Sequence, residues 1–533
     1  MYILKQSPRT LGLDEPIRHE SHKAPRTRRD FIAQGLRTGP AIVAAPSLLA
    51  LLMSNKAAAL SPDLSGLKDA CGITDGAGKI PFICFDLAGG AAMTGSEILA
   101  GQSGNPLNFL STAGYAKLGL PGNMTPASAT TDFINEEFGA PWHSDGAILR
   151  GMLGSTQVAT RAKVDGFPIA ARSENDTGNN PHNPMYGINR IGADGQLLTL
   201  IGSQNTDSGG NSMAPIAMMD PAARPTKVDR SSDVTGLVDT GELGTLFSNT
   251  DDAVAVLESM TRLGHVKVDL AKTRLGANSL SANDVALKEL VRCGYVKSTY
   301  LADQFRDKAA LNPDVDPFIV GQADSIFTQA EYNADNEFRK TAAIMKMVIS
   351  GYAGAGTVTM GGYDYHGQGR NTAETRNFRA GRCIGAALEY AARKNKPLMI
   401  YVFSDGSLSA NGVVNNSVEG RGKLDYASDN QSTACPFVLV YRPGGRPVLK
   451  SAARRQIGSF NAAGDVVTTS SPAANAVNLL VETVLLNYMA LHGEQNNFDQ
   501  PAFFPRHGLG ASASREALTI FEPICNGTIS NPV

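Results

Sequence analysis

The sequence holds one tryptophan among its 533 residues, and aromatics make up 7% of it. That leaves too few rings for a base-stacking surface. An excess of one charge is missing as well. Forty-eight basic residues face 50 acidic ones, a formal net charge of −2, and no basic stripe runs through the body of the chain. No nucleic acid is therefore expected as a partner. The six cysteines (Cys71, Cys84, Cys293, Cys383, Cys435 and Cys525) contain no CxxC pair, which argues against a zinc cluster. No repeat of roughly 20–50 residues is visible, so solenoids and propellers are not expected. Beyond residue 59 no apolar run is long enough to cross a bilayer, and no membrane span is expected there.

What is present begins at the N-terminus. Arg18, Lys23, Arg26, Arg28 and Arg29 precede an apolar run from Pro40 to Met53. The stretch TRRDFI, Thr27 to Ile32, resembles the twin-arginine export signature. The apolar run is broken by prolines and falls short of the roughly 18–20 residues that a stable span needs. Ala57-Ala58-Ala59 then offers a small-residue cleavage site. These features predict a signal peptide over residues 1–59, read by the twin-arginine translocase. An amphipathic helix with a basic start is the competing reading. The expected location of the remainder is periplasmic or extracytoplasmic, where disulfides are permitted. Cys84 and Cys383 sit in apolar patterns and read as core.

Residues 60–533, 42% hydrophobic when the whole chain is counted, read as one α/β domain. Continuous apolar runs ending in polar turns recur: KIPFICFDLAGG to Asp86, QLLTLIGSQN to Ser203, GTVTMGGYDYHG to Asp364 and His366, and PLMIYVFSDGS to Asp405. CPFVLVYRPGG follows, entered from Asp429. Runs of this kind are strands buried on both faces. Helical spacing appears over Asp252 to Arg262, Asn283 to Val296, Lys340 to Ser350, Arg376 to Arg393 and Ala474 to Leu491. Helix and strand alternate over Lys340 to Ser404, the mark of a mostly parallel sheet flanked by helices. Ligands in such sheets sit beyond the carboxyl ends of the strands. The polar segments Gly101–Ala140 and Gly202–Leu243 read as long loop insertions.

Asp86, Asp364, His366 and Asp405 all fall at those strand ends, an oxygen-rich set with one imidazole that suits a hard divalent cation. Asp364 and His366 are two residues apart, on one side of the strand if it continues. Strand-end aspartates also cap helices and shape turns. Thr94-Gly95-Ser96-Glu97 matches a capping box, and a hydroxyl from Thr94 or Ser96 at a helix start is also where a nucleophile would stand. The loop ARSENDTGNNPHNP gathers Arg172, Ser173, Asp176 and His182, which either hold a ligand or satisfy their own backbone.

Taken together, the arginine signal, the first strand running into Gly89-Gly90, the RSENDTGNNPHNP loop, GGYDYHG and VFSDGS resemble a family of bacterial twin-arginine-exported proteins of unknown function. That family is distantly related to alkaline phosphatases and sulfatases. The resemblance implies an alkaline-phosphatase-like or sulfatase-like fold and a metal-dependent hydrolase of phosphate or sulfate esters, its small-molecule substrate unknown. It implies Asp86 as the first metal ligand, Thr94 or Ser96 as nucleophile, Asp364 with His366 as the second cluster and Asp405 as the third. Gly406 stands where the wider superfamily has histidine, and Asp429-Asn430-Gln431 lacks the last histidine. One divalent ion, or none, is therefore expected. The alternative is a non-catalytic periplasmic binding or assembly protein on the same fold.

Overall fold

The computed structural model describes residues 60–71, 78–126, 133–173, 180–238, 250–271, 282–305 and 308–533. The signal reading over residues 1–59, and Asp176 of the polar loop, lie outside the described residues.

Seven strands form the central sheet: β1 (Phe82–Leu87), β2 (Val164–Pro168), β3 (Leu198–Gly202), β4 (Thr226–Lys227), β5 (Ala353–Met360), β6 (Leu398–Phe403) and, after a ribbon of β7 (Leu408–Val414) and β8 (Leu424–Asp429), β9 (Phe437–Tyr441). Their spatial order is β2–β9–β6–β1–β5–β3–β4. β1 pairs in parallel with β5 and β6, and β3 in parallel with β5 and β4. Only β9 is reversed, lying antiparallel between β2 and β6. The α/β class with a mostly parallel sheet is thus present.

Strand periodicity divides the core. Ile83, Phe85, Ile400 and Val402 face one layer of buried side chains, built by helices α1 (Ala147–Ser155), α4 (Asn336–Ile349) and α5 (Arg370–Arg393). Phe82, Cys84, Met399 and Tyr401 face the opposite layer, where α6 (Val477–Leu491) packs. Both faces are covered, so the strands read as unbroken apolar runs. Helices α2 (Thr250–Leu270) and α3 (Ala282–Gln304) pack on each other. A disulfide joins Cys71 to Cys293 on α3. Cys84, Cys383, Cys435 and Cys525 are free and buried.

Two local expectations are corrected. No helix starts at Thr94. Residues 94–98 form a tight turn closed by Gly95 N–H on the Ile98 carbonyl at 2.8 Å. Glu97 does not reach back to Thr94; its carboxylate accepts the Ile148 N–H at 2.8 Å, at the start of α1. The cap is real in kind but serves a helix fifty residues away, because burial of the turn brings Glu97 to that N-terminus. Nor does β5 continue to His366: it ends at Met360, and Gly362 and Gly367, both at positive φ, turn the chain.

Candidate functional site

The carboxyl ends of β1, β5 and β6 lie side by side, and their aspartates fall into two layers. The inner layer is Asp86 and Asp405, both fully buried. Asp86 accepts the backbone N–H groups of Asn211 at 2.7 Å and Ser212 at 2.9 Å, with the Thr359 hydroxyl at 3.4 Å. Burial raises its pKa, and those backbone donors pull against the rise. Asp405 accepts the Gly89 N–H at 2.7 Å on Oδ1 and the Asn211 side-chain amide at 3.1 Å on Oδ2. Asn211 therefore bridges the two carboxylates. Ser404 completes the clasp. Its hydroxyl accepts from Gly90 N at 3.0 Å and Ala91 N at 2.7 Å while donating to the Leu87 carbonyl at 2.6 Å. The polar end of β6 thus fastens the turn after β1 and the loop after β3, two segments of irregular backbone that must find donors and acceptors where water is excluded.

The outer layer is open to solvent. Asp364, His366 and Asp429 each present one ligand atom, and the three atoms lie within 4.8 Å of one another. His366 Nδ1 stands beside Asp364 Oδ1 and 3.2 Å from Asp429 Oδ1, yet neither approach is aligned as a hydrogen bond, and Nδ1 is a buried atom without a hydrogen-bond partner. Three such atoms within 4.8 Å of one another could hold a metal ion. One imidazole nitrogen with two carboxylate oxygens suits Zn²⁺ or Mn²⁺, and three protein ligands leave a coordination position open. The donor set fits one divalent cation.

The inner layer positions the outer one. A Cβ added to Gly89, whose φ is 121°, would stand 2.4 Å from the Asp364 nitrogen. Asp405 holds the Gly89 N–H, so the backbone of Asp364 rests directly on a glycine that a buried carboxylate anchors. Tyr365, buried between the two exposed residues, accepts the Ala92 N–H at 2.9 Å through its hydroxyl.

The remaining expected residues are placed as follows. Thr94 and Ser96 are buried; the Thr94 hydroxyl donates to the Thr433 carbonyl, and the Ser96 hydroxyl lies 2.9 Å from the Tyr426 hydroxyl. Neither hydroxyl is bonded to a member of the triad. Ser173 donates to the Asp405 carbonyl, which also takes the Asn180 amide at 2.7 Å. His182 is buried against Phe403, with burial lowering its pKa to about 3, so it is a neutral ring. Arg172 donates to Asn475 at 3.0 Å and, with Ser173, Gln431 and Asn475, lines a cleft of about 160 Å³. Gln431 is two residues past Asp429, so this cleft opens beside the strand that carries the third ligand.

Asp429 is the member of this triad that sequence reasoning did not place with the others. It ends β8, paired opposite Leu408. The β7–β8 ribbon carries the chain out from Asp405 and back to the same edge, and its mostly polar, partly exposed strands offer no apolar run to show that return. No protein-family model matches the chain, and no curated protein matches it.

Proposed function

We propose that this protein is an exported, metal-dependent hydrolase of phosphate or sulfate esters, acting on a small molecule at the Asp364–His366–Asp429 triad. The triad carries the reading: an open three-ligand set at the carboxyl edge of a mostly parallel sheet, where such sheets bind ligands. A divalent ion held there would polarise an ester oxygen and acidify a water. Asp364, His366 and Asp429 are the ligands of this reading. Asp405, through Gly89, positions Asp364. Arg172, in the neighbouring cleft, supplies a cation for the non-bridging oxygens of the ester. The twin-arginine stretch supports export, and the Cys71–Cys293 disulfide agrees with an oxidising compartment.

Thermal melts of chelated protein, with and without added Zn²⁺ or Mn²⁺, test the metal. Wild type should gain stability by binding in the native state, and His366→Ala and Asp429→Ala should lose that gain. Asp405→Asn should melt lower in both conditions, by about 1–3 kcal/mol, because a buried donor loses its acceptor. Turnover of p-nitrophenyl phosphate or p-nitrophenyl sulfate tests the chemistry. Metal stabilisation without turnover of either ester would favour the binding or assembly protein. Absence of any metal effect would sink the site.

A further inference from the structure

A second cleft, of about 760 Å³, lies on the other side of the Pro472–Asn475 turn from the Arg172 cleft. Its volume is within the range that holds a small organic ligand. Among the described residues Arg454 is the one charged side chain lining it, and no acidic residue does. The guanidinium donates to the Thr519 carbonyl at 3.1 Å, its Nε has no acceptor, and no carboxylate among the described residues pairs with it. Six hydroxyl residues share the lining, and the Ser471 hydroxyl is without a hydrogen-bond partner. Ile457 and Leu518 add an apolar patch.

The wall is built rather than slack. Gln456, buried, accepts the Gly101 N–H at 2.8 Å and donates to the carbonyls of Gly101, Ser103 and Gly458 at 2.9–3.0 Å, tying its own segment to the one around Ser103. Ser470 accepts the Ser459 N–H at 2.9 Å and donates to Val467. These bonds consume the scaffold's own polar groups and leave the Arg454 guanidinium without a carboxylate and the Ser471 hydroxyl without a hydrogen-bond partner.

We infer that this cleft binds an anionic carbohydrate. The acid group pairs with Arg454, the sugar hydroxyls meet the serine and threonine hydroxyls, and the C–H face of the ring packs on Ile457 and Leu518. The three features act together. A bare oxyanion leaves the apolar side chains unused, and a neutral sugar leaves the arginine without an acid group. The inference does not rest on the hydrolase reading, since none of these residues belongs to the triad.

Isothermal titration of the full chain tests it, with glucuronate, glucose 6-phosphate, glucose, and inorganic phosphate as probes. Glucuronate has no ester to hydrolyse, so its binding reports the cleft alone. Both anionic sugars should bind at one site, at least about tenfold more tightly than glucose or phosphate, the size expected for one charge-assisted hydrogen bond. Arg454→Gln should erase that advantage while its melting temperature and metal response stay near wild type. Ser471→Leu, which fills the cleft with a leucine side chain, should weaken both sugars to a similar degree, while His366→Ala should leave glucuronate binding intact. Three results would overturn the inference: equal glucuronate affinity in wild type and Arg454→Gln, phosphate binding as tightly as the sugars, or loss of glucuronate binding in His366→Ala alone.

Discussion

Glu97 and Glu374 are buried together, and they divide one charge unequally. Glu374 is held below the usual carboxylate range: burial pushes it up, but Arg370 at 2.9 Å, Lys423 at 2.8 Å and Arg150 at 2.6 Å pull it further down. Glu97 has no such partner in contact. Burial and then the charge of Glu374 push its pKa up to about 7. The folded protein therefore keeps a proton that the unfolded chain releases near pH 4.5, and stability falls as pH rises from there to about 7. Glu97→Gln should remove that slope and raise stability at pH 8 relative to wild type. Urea melts at pH 5, 6, 7 and 8 check it, and an unchanged slope would place the titration elsewhere. Gly89 makes a second residue-scale case. Gly89→Ala puts a Cβ into the Asp364 backbone at a strained φ, which should cost about 1–3 kcal/mol. It should also shrink the metal-induced rise in melting temperature, because Asp364 must move. A normal metal response in this variant would separate the inner layer from the outer.

Among the elements, α1 and α5 cross so closely that backbone meets backbone. A Cβ at Gly381 would stand 2.1 Å from the Ile148 carbonyl, and one at Gly151 would stand 2.2 Å from that of Phe378. Gly381→Ala should therefore destabilise by about 1–3 kcal/mol as an overpacked contact, despite alanine's better helix propensity. A melt showing stabilisation would mean the helices can part. Elements with long buried runs were readable from sequence: β1, β3, β5, β6 and β9 each appear as an apolar run, and of the stripe expected on α5, Cys383, Ile384, Ala387, Leu388 and Ala391 are buried while Phe378 is exposed. β2 was not readable. Its VDGFP contains a glycine and a proline, which an edge strand tolerates, and Gly166 is there because the Val438 carbonyl and the Leu439 side chain leave no room for a Cβ.

Across the whole molecule, strand order explains which part of the site was legible. Apolar runs announce that Asp86 and Asp405 stand at strand ends and that Asp364 follows one by four residues, and parallel pairing then brings them to one edge. Which of them faces solvent depends on loops: Asn211 and Ser212 bury Asp86, and the β7–β8 ribbon returns Asp429 to His366. Contacts at separations above a hundred residues leave no local pattern. The Cys71–Cys293 bridge is of the same long-range kind, with a sequence separation of 222. A loop that long gives a chain-entropy stabilisation of about 5 kcal/mol, so Cys71→Ser with Cys293→Ser should melt well below the oxidised wild type. Coincident melts would show that the bridge does not form. That bridge also makes the stretch from Cys71 to Cys293 a covalent ring. A protease that nicks an exposed turn inside it produces no fragment: the cut protein runs as one band without reductant and as two with it, and β1, β2 and β3 stay threaded beside their partners. A single break would then be a scar and not a loss.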